Sequence, residues 1–477
     1  MGFRTRAESR AAWICALYAT TTFAWYGVWR NCFAERSADE GIFENILWNG
    51  VHGHGLRSWA EGGVSHFAVH LSPVLYLLLP PYALFRSMHV VHLAAAVLTA
   101  FAGYQFHGHV ARTLDSRSAQ PLLLAFLLCP TIVLQTFMEF HEQAFAILPL
   151  TLLLISWSDG RRAWVMGSAL ALLMVREDNA FLLVALGVVS LPDARRRATG
   201  GMLLALGLCW LALWQVISVH VVGRGHLPDT LGNTYAAWGE SPGQIVRSVI
   251  ARPLDVVRHV MAPVPLKYLA LLLAPVLGVL PFGSPLALVM LPQLCMVLLA
   301  DPGSRLFQIR MHYSVAPAVV LLFAAVATLR RIGPARPGFG AFARRWAPAA
   351  MMAVVLLLAP GWAIRAIARL NPFSPQIREI LSALPDTASV SAPGYLLNHL
   401  AARPRFALAW YENLPNTDYV VLEDSSRFFL TGTTVDVFYT PHFDSLLAAG
   451  GYSSVMARHG WHVYRRRAPG AVPRTHS

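Results

Sequence analysis

Residues 201–222 read GMLLALGLCWLALWQVISVHVV, a run of 22 residues with no Asp, Glu, Lys or Arg. A helix that crosses the apolar core of a bilayer needs roughly 20 mostly apolar residues, so this run predicts a transmembrane helix. The whole chain of 477 residues shares the bias: 56% of residues are hydrophobic, 13% are charged, and the mean hydropathy is +0.49. Soluble domains carry roughly 25% charged residues. Composition therefore excludes soluble, disordered and fibrous proteins and predicts a polytopic membrane protein.

Ten further apolar stretches predict membrane helices, so the expected fold class is mainly α, with about eleven transmembrane helices. The ten stretches are residues 11–29, 88–107, 119–137, 144–157, 163–176, 179–192, 266–282, 285–300, 313–329 and 347–364. The first follows Arg4, Arg6 and Arg10 and resembles a signal peptide. It is longer than the usual apolar region of about 7–15 residues and lacks a clean small-residue cleavage site, which favours a retained signal anchor.

Residues 70–86, HLSPVLYLLLPPYALFR, are apolar but contain Pro73, Pro80 and Pro81. If they spanned the membrane, the chain would have twelve or more crossings and most arginine clusters would lie outside the cell. Cytoplasmic loops are enriched in Lys and Arg, so the arginines favour a segment that lies on or dips into the outer face. Freed backbone groups next to the prolines are also easier to satisfy there.

The net charge of +13 comes almost wholly from arginine, and Lys267 is the only lysine. The arginines cluster between apolar segments, as in cytoplasmic loops, which argues against nucleic-acid binding. Their distribution predicts a bacterial inner (cytoplasmic) membrane protein with a cytoplasmic N-terminus and most acidic loops outside. Five scattered cysteines form no disulfide or metal-ligand pattern.

The composition changes near residue 366. We therefore expect two domains: a transmembrane domain over residues 1–365, and a small extracytoplasmic α/β domain over residues 366–477. Strand-like runs alternate with short helical segments in the second domain, and its last residues, 468–477, are expected to form a frayed tail.

Three charged segments at the predicted outer face are candidates for chemistry. The first outer loop contains Asp39, a candidate general base or cation ligand. The second contains His141 and Glu142, which are costly near a membrane unless used or paired. The third is Arg176-Glu177-Asp178, where the arginine suits a phosphate and the acids suit an orienting role or a cation. Solvated loop acids and a helix-capping turn are the alternatives.

Two more sites join this set. His70 precedes Ser72-Pro73, and the pair Arg310 and His312 lies in a later outer loop. Basic residues on an outer loop run against the usual charge bias, so a bound anion is a reasonable interpretation. A structural role is the alternative for each histidine. A divalent cation is possible, although no spacing requires one.

Taken in order, these motifs resemble a bacterial family of polytopic membrane proteins known as a domain of unknown function and placed beside the GT-C glycosyltransferases. The family pattern runs D-x-G-I-F, H-F-S-P with a later P-x-Y, F-H-x-E, K-E-D and H-Y. The matching residues are Asp39-Glu40-Gly41-Ile42-Phe43, His70-Leu71-Ser72-Pro73 with Pro80-Pro81-Tyr82, Phe140-His141-Glu142, Arg176-Glu177-Asp178 and His312-Tyr313. The departures are Leu71 for Phe, Arg176 for Lys, and Gln143 where Glu is frequent.

The resemblance implies a GT-C-like fold and a glycosyltransferase that uses a polyprenyl-phosphate-linked sugar and an extracytoplasmic acceptor. It implies that Asp39 is the base, that His141 and Glu142 assist it, and that Arg176 contacts phosphate. His70, Glu177, Asp178, Arg310 and His312 complete the expected substrate-binding set. The alternatives are a transporter or flippase of a lipid-linked or small polar substrate, and a catalytically inactive scaffold with the same fold.

Overall fold

The structure is a computed structural model that describes residues 6–35, 38–221, 234–335, 337–408, 417–424, 438–439, 445 and 447–467. The expected tail, residues 468–477, and Arg4 lie outside the described residues. The first ten helices, α1–α10, are Arg6–Asn31, Asp39–Val51, Val74–Phe85, Met88–Thr113, Ser116–Leu127, Pro130–Phe137, Ile147–Asp159, Arg162–Leu173, Ala180–Ser190 and Arg197–Val216. Helices α11–α18 are Pro242–Ala251, Pro253–Val260, Pro263–Leu273, Leu291–Leu298, Val315–Ala335, Pro337–Ile367, Ser374–Ser382 and Gly394–Leu400.

Four helices in the described part of the chain are long and apolar enough to cross a membrane: Met88–Thr113, Arg197–His220, His312–Ile332 and Gly338–Ile367. Two bent pairs bring the number to six if each pair is one span. About eleven spans were predicted, and four to six helices or bent helix pairs are long and apolar enough to cross a membrane. Several of the other predicted spans form short helices, such as the 12-residue α8. At 1.5 Å per residue such a helix is about 18 Å long, short of a roughly 30 Å hydrocarbon core.

Proline explains one of the two bends. The predicted span 119–137 is divided into α5 and α6, which meet at an angle of 53°. Pro130 is the first residue of α6, where its missing N–H is harmless, but proline restricts the preceding Cys129 to an extended conformation. The helix therefore ends before Cys129 and starts again in a new direction.

The apolar segment around Pro73 forms the 12-residue helix α3. Leu75, Leu78 and Tyr82 are buried on one face, while Tyr76 and Leu77 are exposed on another. The helix packs against α2 and α4. Its length is too small for a membrane crossing, in keeping with the expectation of an interfacial or re-entrant segment.

Beyond α16, the chain forms a small mixed sheet with short helices. The strands β1–β6 are Val390–Ala392, Phe406–Leu408, Tyr419–Asp424, Phe438–Tyr439, Tyr452–Arg458 and Trp461–Arg466. Their order is β2-β1-β3-β6-β5, with β4 beside β3. Strands β1–β4 pair in parallel, and β6 is antiparallel to both β3 and β5.

This sheet domain packs on the segment between α1 and α2 and on α2 itself. Phe33 belongs to the same buried cluster as Val390, Leu397 and Trp461 of the sheet domain. The side-chain amide of Asn45 donates to the carbonyl oxygens of Ala401 and Arg403, at 2.8 and 2.9 Å. The segment that carries Asp39 is therefore held from both sides, by the membrane helices and by the sheet domain.

Candidate active site

Four helices begin at the same end of the bundle, and most of the predicted site residues lie at or just before their first turns. Asp39 is the first residue of α2. Short 3₁₀ turns over Glu142–Ala146, Glu177–Asn179 and His312–Ser314 lead directly into α7, α9 and α15. Helix N-termini present unsatisfied backbone N–H groups and partial positive charge, which favour a bound anion. Folding thus gathers four segments that lie far apart in the sequence.

Asp39, His141, Arg310 and His312 line one small polar pocket of about 50 Å³. Glu139 and Arg305 line it as well. Asp39 is half-buried, and its carboxylate has no hydrogen bond or ion pair with any residue that the structure describes. A carboxylate in this position is free to accept a proton from a ligand in the pocket.

Behind Asp39, two stacked imidazoles form the pocket wall. The rings of His141 and His312 are parallel within 20°, with centroids 3.4 Å apart. Nδ1 of His141 lies 2.7 Å from a carboxylate oxygen of Glu142. The Nε2 atom of His312 is buried and has no hydrogen-bond partner among the described residues. A buried polar atom without a partner is costly, and a polar ligand in this pocket would satisfy it.

Glu142 lies one layer deeper and does not line the pocket. It is fully buried, and its other oxygen lies 3.5 Å from Nη1 of Arg176. Burial raises the pKa of this carboxyl, but His141 and Arg176 outweigh burial and bring the pKa well below its usual range. Glu142 is therefore an anion that can orient His141.

Arg176, expected to contact phosphate directly, is instead enclosed by protein groups. Its side chain is 1% exposed, and its guanidinium is paired with Asp178 through Nε and Nη2. Its Cζ atom lies 5.0 Å from the centre of the Tyr313 ring. Asp178 also accepts from Gln143 at 2.9 Å, so the residue that departs from the family's frequent Glu serves here as a neutral donor. This group supports the pocket from behind.

His70 and Glu177 form a further ion pair beside this layer. Nδ1 of His70 lies 2.9 Å from one oxygen of Glu177, and the backbone N–H of Leu71 donates to the other oxygen at 2.8 Å. Burial lowers the pKa of His70, but Glu177 outweighs it and the net shift is upward. The pair ties the segment before α3 to the segment before α9.

Sequence reasoning missed a second buried cluster, centred on Glu40. This carboxylate is fully buried and accepts hydrogen bonds from Tyr26, His92, Arg30 and the backbone N–H of Phe140. Burial raises its pKa, but Arg30 and His92 outweigh burial and lower it well below the usual range. Because Glu40 follows Asp39 and Phe140 precedes His141, the cluster fixes two pocket residues relative to each other. Arg30 was the available signal, since an arginine at the outer end of the first helix opposes the charge bias.

A cavity of about 460 Å³ adjoins the polar pocket and shares Leu134, Met138 and Arg310 with it. Most of its wall is apolar, including Tyr268 and Trp362. Four cationic residues also line it: Lys267, Arg310, Arg365 and Arg369. We call this cavity the cationic groove. Within the described residues, no three or more His, Cys, Asp or Glu side chains are placed to hold a metal ion.

Solved structures of another protein have a similar architecture. The structure of ArnT from Cupriavidus metallidurans bound to undecaprenyl phosphate is similar over 97% of this chain and 99% of that chain, with a TM-score of 0.57 and 13% sequence identity. The apo structure of the same protein gives a TM-score of 0.52 at 12% identity, over 98% of this chain and 100% of that one. At such identity the likeness shows the fold, and it confirms the expected GT-C-like architecture.

No curated protein matches the sequence. Residues 36–435 match the family described as "Predicted membrane protein (DUF2079)". That range includes every residue that lines the polar pocket and the first three strands of the sheet domain. The chain therefore belongs to this family, as the order of its motifs indicated.

Proposed function

We propose that this protein is a membrane glycosyltransferase that takes a sugar from a polyprenyl-phosphate carrier at the extracytoplasmic face. The observation that carries the proposal is the junction at Arg310 between the polar pocket and the cationic groove. A polyprenyl-phosphate sugar has the same three parts in the same order: an apolar chain, an anionic phosphate and a polar sugar. The apolar wall suits the chain, the cations suit the phosphate, and the Asp39 pocket suits the sugar and acceptor.

The residues of the pocket can supply each requirement of sugar transfer. An acceptor hydroxyl oxygen attacks the anomeric carbon, and the bond between that carbon and the phosphate oxygen breaks. The phosphate leaves with the bonding electron pair, next to Arg310. Asp39 accepts the proton of the attacking hydroxyl, and His141, held by Glu142, lines the same pocket. Neutralising the leaving phosphate and accepting this proton are the two effects that lower the barrier.

We revise the roles within the predicted set. Arg310 and His312 line the pocket, so we assign them to direct contact with the substrate. Arg176 and Asp178 are buried behind the pocket, and we assign them to its support. Glu177 and His70 position the segment beside it. Asp39 keeps its role as base, and Glu142 acts through His141.

ArnT from Cupriavidus metallidurans binds undecaprenyl phosphate, and its fold is shared by this chain. That carrier is therefore the first probe to use. Purified protein should bind undecaprenyl phosphate, and Arg310→Gln should weaken binding by roughly tenfold to a hundredfold, since a hydrogen bond to a charged group contributes about 1.5–3 kcal/mol. Arg258→Gln is the matched control, because Arg258 is exposed and, among the residues that the structure describes, its one ion pair is with Asp255 on its own helix.

Activity is tested in proteoliposomes supplied with lipid-linked sugars, by following release of polyprenyl phosphate. Turnover that requires both the donor and an acceptor supports the proposal. Equal lipid binding by Arg310→Gln and the wild type would show that the groove is not the carrier site. Flux of a lipid-linked sugar across the vesicle membrane without cleavage would instead assign a transporter.

A further inference from the structure

A second charged cavity lies at the opposite end of the helix bundle. The turn His312–Ser314 beside the Asp39 pocket leads directly into helix α15, which reaches this cavity at Arg330. Eighteen residues at 1.5 Å each separate the two ends by about 27 Å, nearly a hydrocarbon thickness. The cavity holds about 420 Å³ between the ends of α4, α7 and α15 and the start of α10. No step of the proposed sugar transfer uses it.

The charge in this cavity is one-sided. Arg196, Arg330 and Arg331 line it, and no described Asp or Glu does. Arg331 donates to the carbonyl oxygen of Gly283. Arg196 stacks over the Trp157 ring, 3.9 Å from its centre, and its Nε atom lies 3.6 Å from a carboxylate oxygen of Asp193, which does not line the cavity. The guanidinium of Arg330 has no hydrogen bond or ion pair with any residue that the structure describes. Like charges held together in this way repel each other unless an anion joins them.

A buried polar atom points to the same conclusion independently. His109 is 5% exposed and lines the cavity, packed against the ring of Phe323 at 5.4 Å between centroids. Its Nδ1 atom is buried and has no hydrogen-bond partner in the described part of the chain. Most buried polar atoms have a partner, so this nitrogen favours a polar group inside the cavity.

Two other arginines at this end lie outside the lining of the cavity and provide a comparison. Arg112 and Arg161 have side chains that are 61% and 66% exposed, and both lie within 4.0 Å of Asp159. They reach into solvent and pair with a carboxylate, as ordinary arginines at a membrane interface do. Arg196 and Arg330 face a cavity that also has an apolar wall of Phe323, Val326 and Pro285.

We propose that this cavity is a binding site for a phosphate-bearing anion, separate from the sugar-transfer site. The arginines and His109 hold the phosphate, and the apolar wall holds the carbon chain or ring attached to it. The phosphate belongs either to the headgroup of an anionic lipid or to a soluble phosphate ester, since both offer the same chemistry. The predicted topology places this site on the cytoplasmic side.

Binding to the purified full chain in neutral detergent distinguishes these sources. The probes are phosphatidylglycerol, phosphatidylcholine as the zwitterionic control, and inorganic pyrophosphate. The test variant is Arg196→Gln with Arg330→Gln, and the matched control is Arg112→Gln with Arg161→Gln, which removes the same charge from the same end. We expect the test pair to weaken anion binding by about tenfold or more and the control pair to leave it nearly unchanged.

A third variant, Ala327→Leu, fills the cavity without removing charge and should weaken binding in the same way. Preference for phosphatidylglycerol that is lost in the test pair assigns a lipid headgroup, and tight pyrophosphate binding lost in the same pair assigns a soluble phosphate ester. Equal losses in the two double variants would reduce the effect to general surface charge and overturn the proposal. So would the absence of anion binding by the wild type.

Discussion

Asp39 and Glu40 are neighbours at the start of one helix, yet their surroundings are opposite. Glu40 is fully buried, and its two oxygens accept four hydrogen bonds from Tyr26, Arg30, His92 and Phe140. Asp39 faces a pocket, and within the described residues it forms no hydrogen bond or ion pair. One carboxylate is committed to the protein and the other is available to a ligand.

The contrast teaches how to divide the charged residues of this bundle. A charge near the membrane is costly unless it forms an ion pair or contacts water. We therefore expect a charged side chain here either to pair with another protein group or to face a cavity. Arg176 is enclosed in the way that Glu40 is, because its guanidinium contacts Asp178 and Tyr313. Arg310 is available to a ligand in the way that Asp39 is, because it lines both the polar pocket and the cationic groove.

The largest expected effect is on turnover by Asp39→Asn. The substitution keeps the size of the side chain and removes the base, and a positioned base typically contributes 10²–10⁴-fold. We expect donor-dependent release of polyprenyl phosphate to fall by about that factor. Lipid binding and the thermal unfolding temperature should stay close to those of the wild type, since Asp39 has no hydrogen bond or ion pair with the described residues to lose. Full turnover in this variant would remove Asp39 from the mechanism.

Glu40→Gln should lower the stability of the fold, which Asp39→Asn should leave nearly unchanged. Removing one charge from a buried ion pair costs about 3–5 kcal/mol, because the remaining charge is left buried without compensation. We expect the lower end of this range, since the amide oxygen of the new side chain can still accept from Tyr26. The measurement is the free energy of unfolding in detergent by denaturant titration.

Glu379→Gln is the control for that measurement. Glu379 is an exposed carboxylate that pairs with Arg458 and His459 on the sheet domain. Exposed pairs contribute about 0–1 kcal/mol, so this variant should be nearly as stable as the wild type. Equal stability of the two variants would mean that the Glu40 cluster does not hold the pocket segments together.

Gly41→Ala tests the contact between the sheet domain and the pocket. A Cβ atom at this position would lie 3.0 Å from the carbonyl oxygen of Leu397 and 3.1 Å from the side-chain oxygen of Asn398. That same Asn398 oxygen accepts from the backbone N–H of Gly41 at 2.7 Å. We expect a loss of about 1–3 kcal/mol, as for other overpacked sites, together with reduced turnover.

Gly243→Ala is the matched control, because nothing lies within 4 Å of the position where its Cβ would be. It lies in a helix, where alanine is favoured over glycine by about 0.5–1 kcal/mol. If Gly41→Ala were as stable and as active as Gly243→Ala, the sheet domain would not position Asp39.

The sequence was sufficient to identify the membrane class, the family resemblance and the set of charged segments that meet at one end. Apolar runs and motif order carry that information locally. The number of crossings was less accessible, because α5 and α6 form one apolar stretch whose bend depends on Pro130, and runs such as 163–176 form helices of only 12 residues. Hydropathy records that a segment is buried in apolar surroundings and does not record whether it crosses.

The division of labour among the charged residues was also inaccessible from sequence. Asp39 and Glu40 are equally polar, and only the packing of α1, α4 and the Phe140 segment shows which of them is enclosed. Arg176 has a motif position that suggested a ligand contact, but its partner Asp178 is two residues away and pairs with it in the folded chain. Pairing of this kind depends on side-chain geometry, which residue spacing alone does not fix.

The smallest expected effect concerns the pH dependence of the His70–Glu177 pair, which resembles the Glu40 cluster in kind but is partly exposed. Glu177 raises the pKa of His70 above its ordinary value of 6.5, despite burial, which lowers it; Arg176 opposes this shift and Glu142 adds to it. A raised folded-state pKa means that protonated His70 stabilises the fold fully below about pH 6.5 and that this contribution disappears as the pH rises through the folded-state value. Glu177 has a lowered pKa and stays ionised throughout that range. The difference in unfolding temperature between the wild type and His70→Gln should therefore be largest near pH 6 and shrink toward pH 8.5, and a difference that grows with pH would show that neutral His70 is the stabilising form.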